Sequence, residues 1–192
     1  MKVISITKNP SEAAEMMRAA IEKGKIVIYP TDTVYGIGCN ALDKKLVDRI
    51  YKIKNRSRNN PLSVMVQNLS IIKKYCEISK AEEKEMKKYL PGPYTLLIRR
   101  KKGKSIPVSK TPRLGIRIPD NSFILEVMKS LEIPIVTTSA NISGEPAPKN
   151  VHEINPKVAK EAYLIFDGGE TKTGKPSTII DLPTKKIIRE FK

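Results

Sequence analysis

Cysteine, histidine and tryptophan are almost missing from this chain, whose 192 residues include two Cys, one His and no Trp. Cys39 and Cys76 form no CxxC pair and have only His152 as a possible companion, which argues against a zinc site and against a disulfide framework. His152 lies in a loop beside Glu153 and reads as a surface residue, so no Ser-His-Asp set is available. A Walker A lysine loop is also missing, which excludes an ordinary P-loop NTPase. No window approaches the ~18 uninterrupted apolar residues of a membrane span. The start, Met1 to Ile6, lacks the apolar region and cleavage site of a signal peptide. The expectation is a cytoplasmic protein with no membrane partner.

Acidic residues are scarce too: 20 Asp and Glu against 36 Lys and Arg leave a net charge of +16. Such an excess suits a polyanion, whether nucleotide, phosphorylated metabolite or nucleic acid. Lysines also solvate ordinary surfaces, and Lys84, Lys87 and Lys88 on a helix read as that background. Arginines beside glycine or proline turns are better functional candidates, because a guanidinium grips phosphate or carboxylate in a forked geometry. An RNA-binding module without catalysis is the alternative, although three Phe and seven Tyr offer few platforms for stacking bases.

What is present is an alternation of helical and extended patterns. Ser11 is expected to cap a helix through about Lys23, stopped by Gly24; Asp43 caps a second, with Leu46, Val47, Ile50, Tyr51 and Ile53 at helical spacing. Ser79 and Glu82 form a capping box for a third, ending before Pro91. Ser122 to Leu131 is helical by period, and Pro156 opens another helix. Extended segments are read at 26–29, 62–66, 94–99, 114–118, 135–138, 163–166, 178–182 and 186–189. This predicts one α/β domain over residues 1–192, built on a twisted mixed sheet with flanking helices. The loops 101–110 and 168–176, rich in Lys, Gly, Ser and Thr, read as mobile flaps.

Four segments carry more small, polar and cationic residues than a connector needs. Thr31-Asp32-Thr33 follows a buried strand and precedes Gly36 and Gly38, where backbone can turn or approach a ligand closely. Lys54-Asn55-Arg56-Ser57-Arg58-Asn59-Asn60 exceeds what a helix C-terminus requires of cations. Arg113, Gly115 and Arg117 share one face of a strand. Thr137 to Pro148 ends a strand in hydroxyls and an amide, groups that hold phosphate or carboxylate without bringing charge.

Five ordered motifs carry a resemblance: Pro30-Thr31-Asp32-Thr33-Val34-Tyr35-Gly36-Ile37-Gly38; Lys54-x-Arg56 with Asn60-Pro61-Leu62; Leu114-Gly115-Ile116-Arg117-x-Pro119; Ser139-Ala140-Asn141-x-Ser143-Gly144; and Ser177-Thr178-Ile179-Ile180-Asp181. Together, from about Ile4 to Arg189, they closely resemble the YrdC-like family of threonylcarbamoyl-adenylate synthases. The resemblance implies a basic cavity on one side of the sheet. There L-threonine, bicarbonate (or CO2) and ATP become threonylcarbamoyl-AMP and pyrophosphate, the first step of tRNA threonylcarbamoyladenosine modification. It also implies a downstream tRNA threonylcarbamoyl transferase complex, with tRNA as a further partner, and Mg2+ arriving with ATP. A chain ending just after Arg189 resembles the single-domain form.

By the same resemblance, Lys54 and Arg56 are the catalytic positions. Thr33, Met65, Arg117, Thr137 and Ser177 are the threonine positions, and Arg56, Asn60, Arg113, Ser139, Asn141, Ala147 and Arg189 the ATP positions. Many members carry histidine where this chain has Met65 and again where it has Asp120-Asn121, and many carry Glu where it has Asp32. No strong general base stands in the motifs, so catalysis is expected to rest on positioning and electrostatics.

Overall fold

Val27-Ile28-Tyr29 is fully buried because it forms an inner strand of a ten-stranded mixed sheet. A computed structural model describes residues 2–190. In chain order the elements are β1 (Lys2–Ser5), α1 (Pro10–Glu22), β2 (Val27–Tyr29), β3 (Gly36–Gly38), α2 (Lys44–Ile53), β4 (Ser63–Met65), α3 (Leu69–Tyr75), α4 (Lys80–Met86) and β5 (Tyr94–Arg99). There follow β6 (Arg113–Arg117), α5 (Ser122–Met128), β7 (Ile135–Ser139), a 3-10 turn (Val151–Glu153), α6 (Pro156–Ala159), β8 (Leu164–Asp167), β9 (Thr178–Asp181) and β10 (Lys186–Arg189). The sheet order is β1-β8-β2-β3-β7-β4-β6-β5-β9-β10. β4 runs parallel to β6 and antiparallel to β7, and β5 runs antiparallel to β6 and parallel to β9.

Most helix starts follow their sequence signals. Asp43 Oδ1 accepts from the amides of Lys45 and Leu46, and Ser79 with Glu82 closes the capping box. The first helix differs: Asn9, not Ser11, is the cap, because Pro10 takes the first helical position and pushes the cap one residue before it. Asn121 caps α5 by accepting from the Ile124 amide at 3.1 Å, so part of the Asp120-Asn121 departure has a structural task. The seven-residue α3 and the exposed edge strand β1 had no clear pattern in the sequence, being too short to show a period.

The sheet's two faces are covered differently. One carries Ile28, Ile37, Val64, Leu96, Ile116 and Val136 into the larger core, against α2, α3 and α6. The other carries Val27, Tyr29, Met65, Ile135 and Phe166 into a second core beneath α1 and α5. Residues two apart on a strand share a face, so Ser63, Thr137 and Arg117 lie on this second face, where the helices' cover gives way to a cavity.

Two sequence readings change. Gly36 and Gly38 are strand residues without positive φ, not a turn. Their smallness serves a close approach: a Cβ on Gly38 would stand 2.7 Å from the Tyr29 hydroxyl and closer still to the Val136 carbonyl. Both loops read as flaps are pinned to the body at points along their length. Ile106 and Val108 are fully buried, and the Val108 carbonyl accepts from the Tyr51 hydroxyl at 2.8 Å. In the second loop, the Thr171 amide donates to the Lys149 carbonyl, and the Gly169 carbonyl accepts from the Tyr35 hydroxyl at 2.8 Å.

Candidate active site

A cavity of about 490 Å³ opens on the second face of the sheet, walled by the loop after β2, the end of α2, the turn after β7, and β10. Lys54, Arg56, Arg117 and Arg189 line it, with Glu145 as the one carboxylate among the described lining residues. Its polar floor is hydroxylic, from Ser63, Thr95, Thr137 and Ser177. Four cations around one concave space favour an anionic occupant.

Lys54 follows the last turn of α2 and is 1% exposed. Its Nζ donates to the Asn141 carbonyl and to Asn141 Oδ1, both at 2.9 Å, and to the Ser139 carbonyl. Ser139 Oγ donates in turn to Asn141 Oδ1 at 2.6 Å, and the Ser143 amide to the Lys54 carbonyl at 2.8 Å. The ammonium thus knots the end of β7 into the turn that walls the cavity. Burial, reinforced by the nearby Arg56 charge, brings the Lys54 pKa down to about 7.

Arg117 is buried at the end of β6. Its Nη2 donates to Asp32 Oδ1 and, at 2.7 Å, to Thr33 Oγ1. Arg117 Nε and Asp32 Oδ2 are both buried without a hydrogen-bond partner, so the pair is joined through one arm. Desolvation draws the guanidinium pKa down, opposed by the Asp32 charge. Arg56 is aimed by two carbonyls, Asn60 at 2.9 Å and Pro61 at 3.0 Å. Arg189 is held by the Ser177 carbonyl at 2.7 Å, and Ser177 Oγ bonds Thr95 Oγ1 at 2.8 Å. Burial first, then repulsion from Arg56 and Arg117, lowers the Arg189 pKa.

Of the residues named from the motifs, Lys54, Arg56, Arg117, Thr137, Ser139, Asn141, Ala147, Ser177 and Arg189 line this one cavity. Four do not, each for a physical reason. Thr33 stands behind Arg117, where its hydroxyl accepts from the guanidinium. Met65 is paired in register with Arg117 but is fully buried in the core under α1 and α5. Asn60 is exposed and contributes through its carbonyl, which positions Arg56. Arg113 turns to Asp181, bonding Oδ1 at 2.7 Å. His152 is exposed, as the sequence implied. Ser63 and Thr95 were missed; alternation along 62–66 and 94–99 was the available signal, but it does not tell a floor from a solvated face.

The Sua5_yciO_yrdC family model, which carries the description "Telomere recombination", matches residues 19–190. A relative from Methanocaldococcus jannaschii is 44% identical over 174 residues, covering 91% of this chain and 82% of its own. The threonylcarbamoyl-AMP synthase of Pyrococcus abyssi is 39% identical over 84% of this chain, and the human protein of that name 34% over 88%. This chain spans 48% and 63% of those two relatives. Among solved structures, P. abyssi Sua5 complexed with L-threonine superposes with a TM-score of 0.87 at 31% identity, over 100% of this chain and 58% of that one. Escherichia coli YciO superposes with a TM-score of 0.84 at 27% identity, over 99% and 94%.

Proposed function

The chain belongs to the Sua5/YciO/YrdC family, and from that premise we propose that it is a threonylcarbamoyl-AMP synthase. L-threonine, bicarbonate and ATP give threonylcarbamoyl-AMP, pyrophosphate and water, the first step of tRNA threonylcarbamoyladenosine modification. The observation that carries this reading is the convergence of Lys54, Arg56, Arg117 and Arg189 on one cavity with a hydroxyl-lined floor. Three anions must be held together there: a triphosphate, an amino-acid carboxylate and a carbamate.

The threonine amine, unprotonated, captures CO2 to give N-carboxy-threonine and a proton. That carboxylate oxygen attacks the α-phosphorus in line, and the bond to pyrophosphate breaks. Arg56 and Arg189 face the phosphates, offsetting charge that builds on the leaving group. Arg117, aimed by Asp32 and Thr33, takes the threonine carboxylate. Lys54 acts through the turn it holds, since its donors are committed to Ser139 and Asn141. Among the described residues no cluster of three His, Cys, Asp or Glu could hold a metal ion. Mg2+ would arrive with the ATP substrate and offset charge on its phosphates.

Among the described residues no helix is long and apolar enough to cross a membrane. The proposal places the protein in the cytoplasm, where a transferase complex carries the threonylcarbamoyl group on to tRNA. Pyrophosphate release from MgATP, with and without L-threonine and bicarbonate, tests the reaction beside mass detection of the adenylate. Release that needs both co-substrates is the expected result. ATP binding without threonine-dependent pyrophosphate would overturn it, and steeply salt-dependent RNA affinity without ATP use would favour a binding module.

A further inference from the structure

Several hydroxyls around the cavity are already committed to the protein. Thr31 Oγ1 donates to the Val34 carbonyl at 2.8 Å, Ser139 Oγ to Asn141 Oδ1 at 2.6 Å, and Thr95 and Ser177 bond each other at 2.8 Å. Ser63 differs. It lines the cavity, yet its hydroxyl has no hydrogen-bond partner among the described residues.

Its position is built by the sheet. Register sets Ser63 of β4 between Thr137 of β7 and Gly115 of β6. Gly115 leaves the hydroxyl uncovered: a Cβ there would stand 2.6 Å from Ser63 Oγ. Arg117 lies two residues beyond Gly115 on the same face of β6, diagonal to Ser63 across a parallel strand pair. An anion paired with Arg117 thus lies within reach of a rotatable neutral donor, which adds a directed hydrogen bond without adding charge.

Building on the function proposed above, we infer that Ser63 is a further substrate contact, its hydroxyl donating to a carboxylate-type oxyanion. The threonine carboxylate, bicarbonate and the carbamate formed from them share that chemistry. No motif assigned Ser63 a role.

The experiment titrates L-threonine and bicarbonate separately into the wild-type chain and Ser63→Ala, each with a non-hydrolysable ATP analogue bound, and measures product formation alongside. Losing a hydrogen bond to a charged group should weaken one of the two anions roughly ten-fold or more, with the analogue's affinity and the melting temperature unchanged. Weaker threonine assigns the contact to the amino-acid carboxylate, and weaker bicarbonate assigns it to the carbon source. Unchanged affinity for both overturns the inference, as does an equal loss for all three ligands with a lowered melting temperature. A wild-type chain that binds both anions but makes no threonylcarbamoyl-AMP would overturn the proposed function while leaving the Ser63 contact readable.

Discussion

Asp32 holds Arg117: the arginine's Nη2 donates to Asp32 Oδ1 in a pair whose side chains are 3% and 8% exposed. An arginine that lines the cavity is thereby fixed from behind by a carboxylate outside the lining. Removing one member of such a pair leaves the other as an uncompensated buried charge, which costs about 3–5 kcal/mol.

Asp32→Ala should therefore destabilise the fold by about 3 kcal/mol and weaken threonine more than ATP. Asp32→Asn, which still accepts a hydrogen bond, should cost less. Urea unfolding with separate KM values for the two substrates checks this. Equal stability of Asp32→Ala and wild type would show that the pair holds nothing.

Arg56→Ala is the cleaner test of the phosphate side. Arg56 is only partly buried and bonds two carbonyls near the surface, so its loss should leave the fold intact. Loss of one preorganised transition-state donor is worth about 10²–10³ in rate. Pyrophosphate release should fall by roughly that factor, and a fall under about two-fold would remove Arg56 from the chemistry. Arg117→Ala would confuse the two effects, because it strands Asp32.

Lys54 ties stability to pH in a direction its chemistry sets. Its folded pKa of about 7 lies below the 10.5 of a free lysine. Between those values the unfolded chain binds more protons, so stability rises with pH there and falls as pH drops toward the folded pKa. Relative to Lys54→Met, the wild type should gain roughly 2 kcal/mol from about pH 7 to about pH 9. Parallel melting profiles across that range would show that Lys54 stays charged throughout.

Gly38→Ala should destabilise by about 1–3 kcal/mol, as overpacking does in a close-packed interior. The added methyl meets the Val136 carbonyl and the Tyr29 hydroxyl, both set by the backbone around them. Gly144→Ala is a useful contrast: a Cβ there has open space, and the positive φ of 95° is the sole objection. A Gly38→Ala midpoint equal to wild type in urea would mean that β3 shifts freely.

Periodicity and turn chemistry determined much of this protein from sequence alone. The α2 and α4 caps, most strands and the mixed α/β class are local properties, written in residues three, four or two apart. Five ordered motifs also pointed to the family and to most of the cavity lining. Tertiary structure decided which members of each motif face the cavity. Met65 and Arg117 are register partners, yet one enters the core beneath α1 and α5 while the other opens onto the cavity. Arg113 and Arg117 share a strand face, but Asp181, 68 residues away, claims the first. The motif named Lys54 as a cation of the site, but not the Ser139–Asn141 turn, brought from 85 and 87 positions along the chain, that surrounds its ammonium with oxygens. Strand order and packing set these partners, and no spacing within a single segment encodes them.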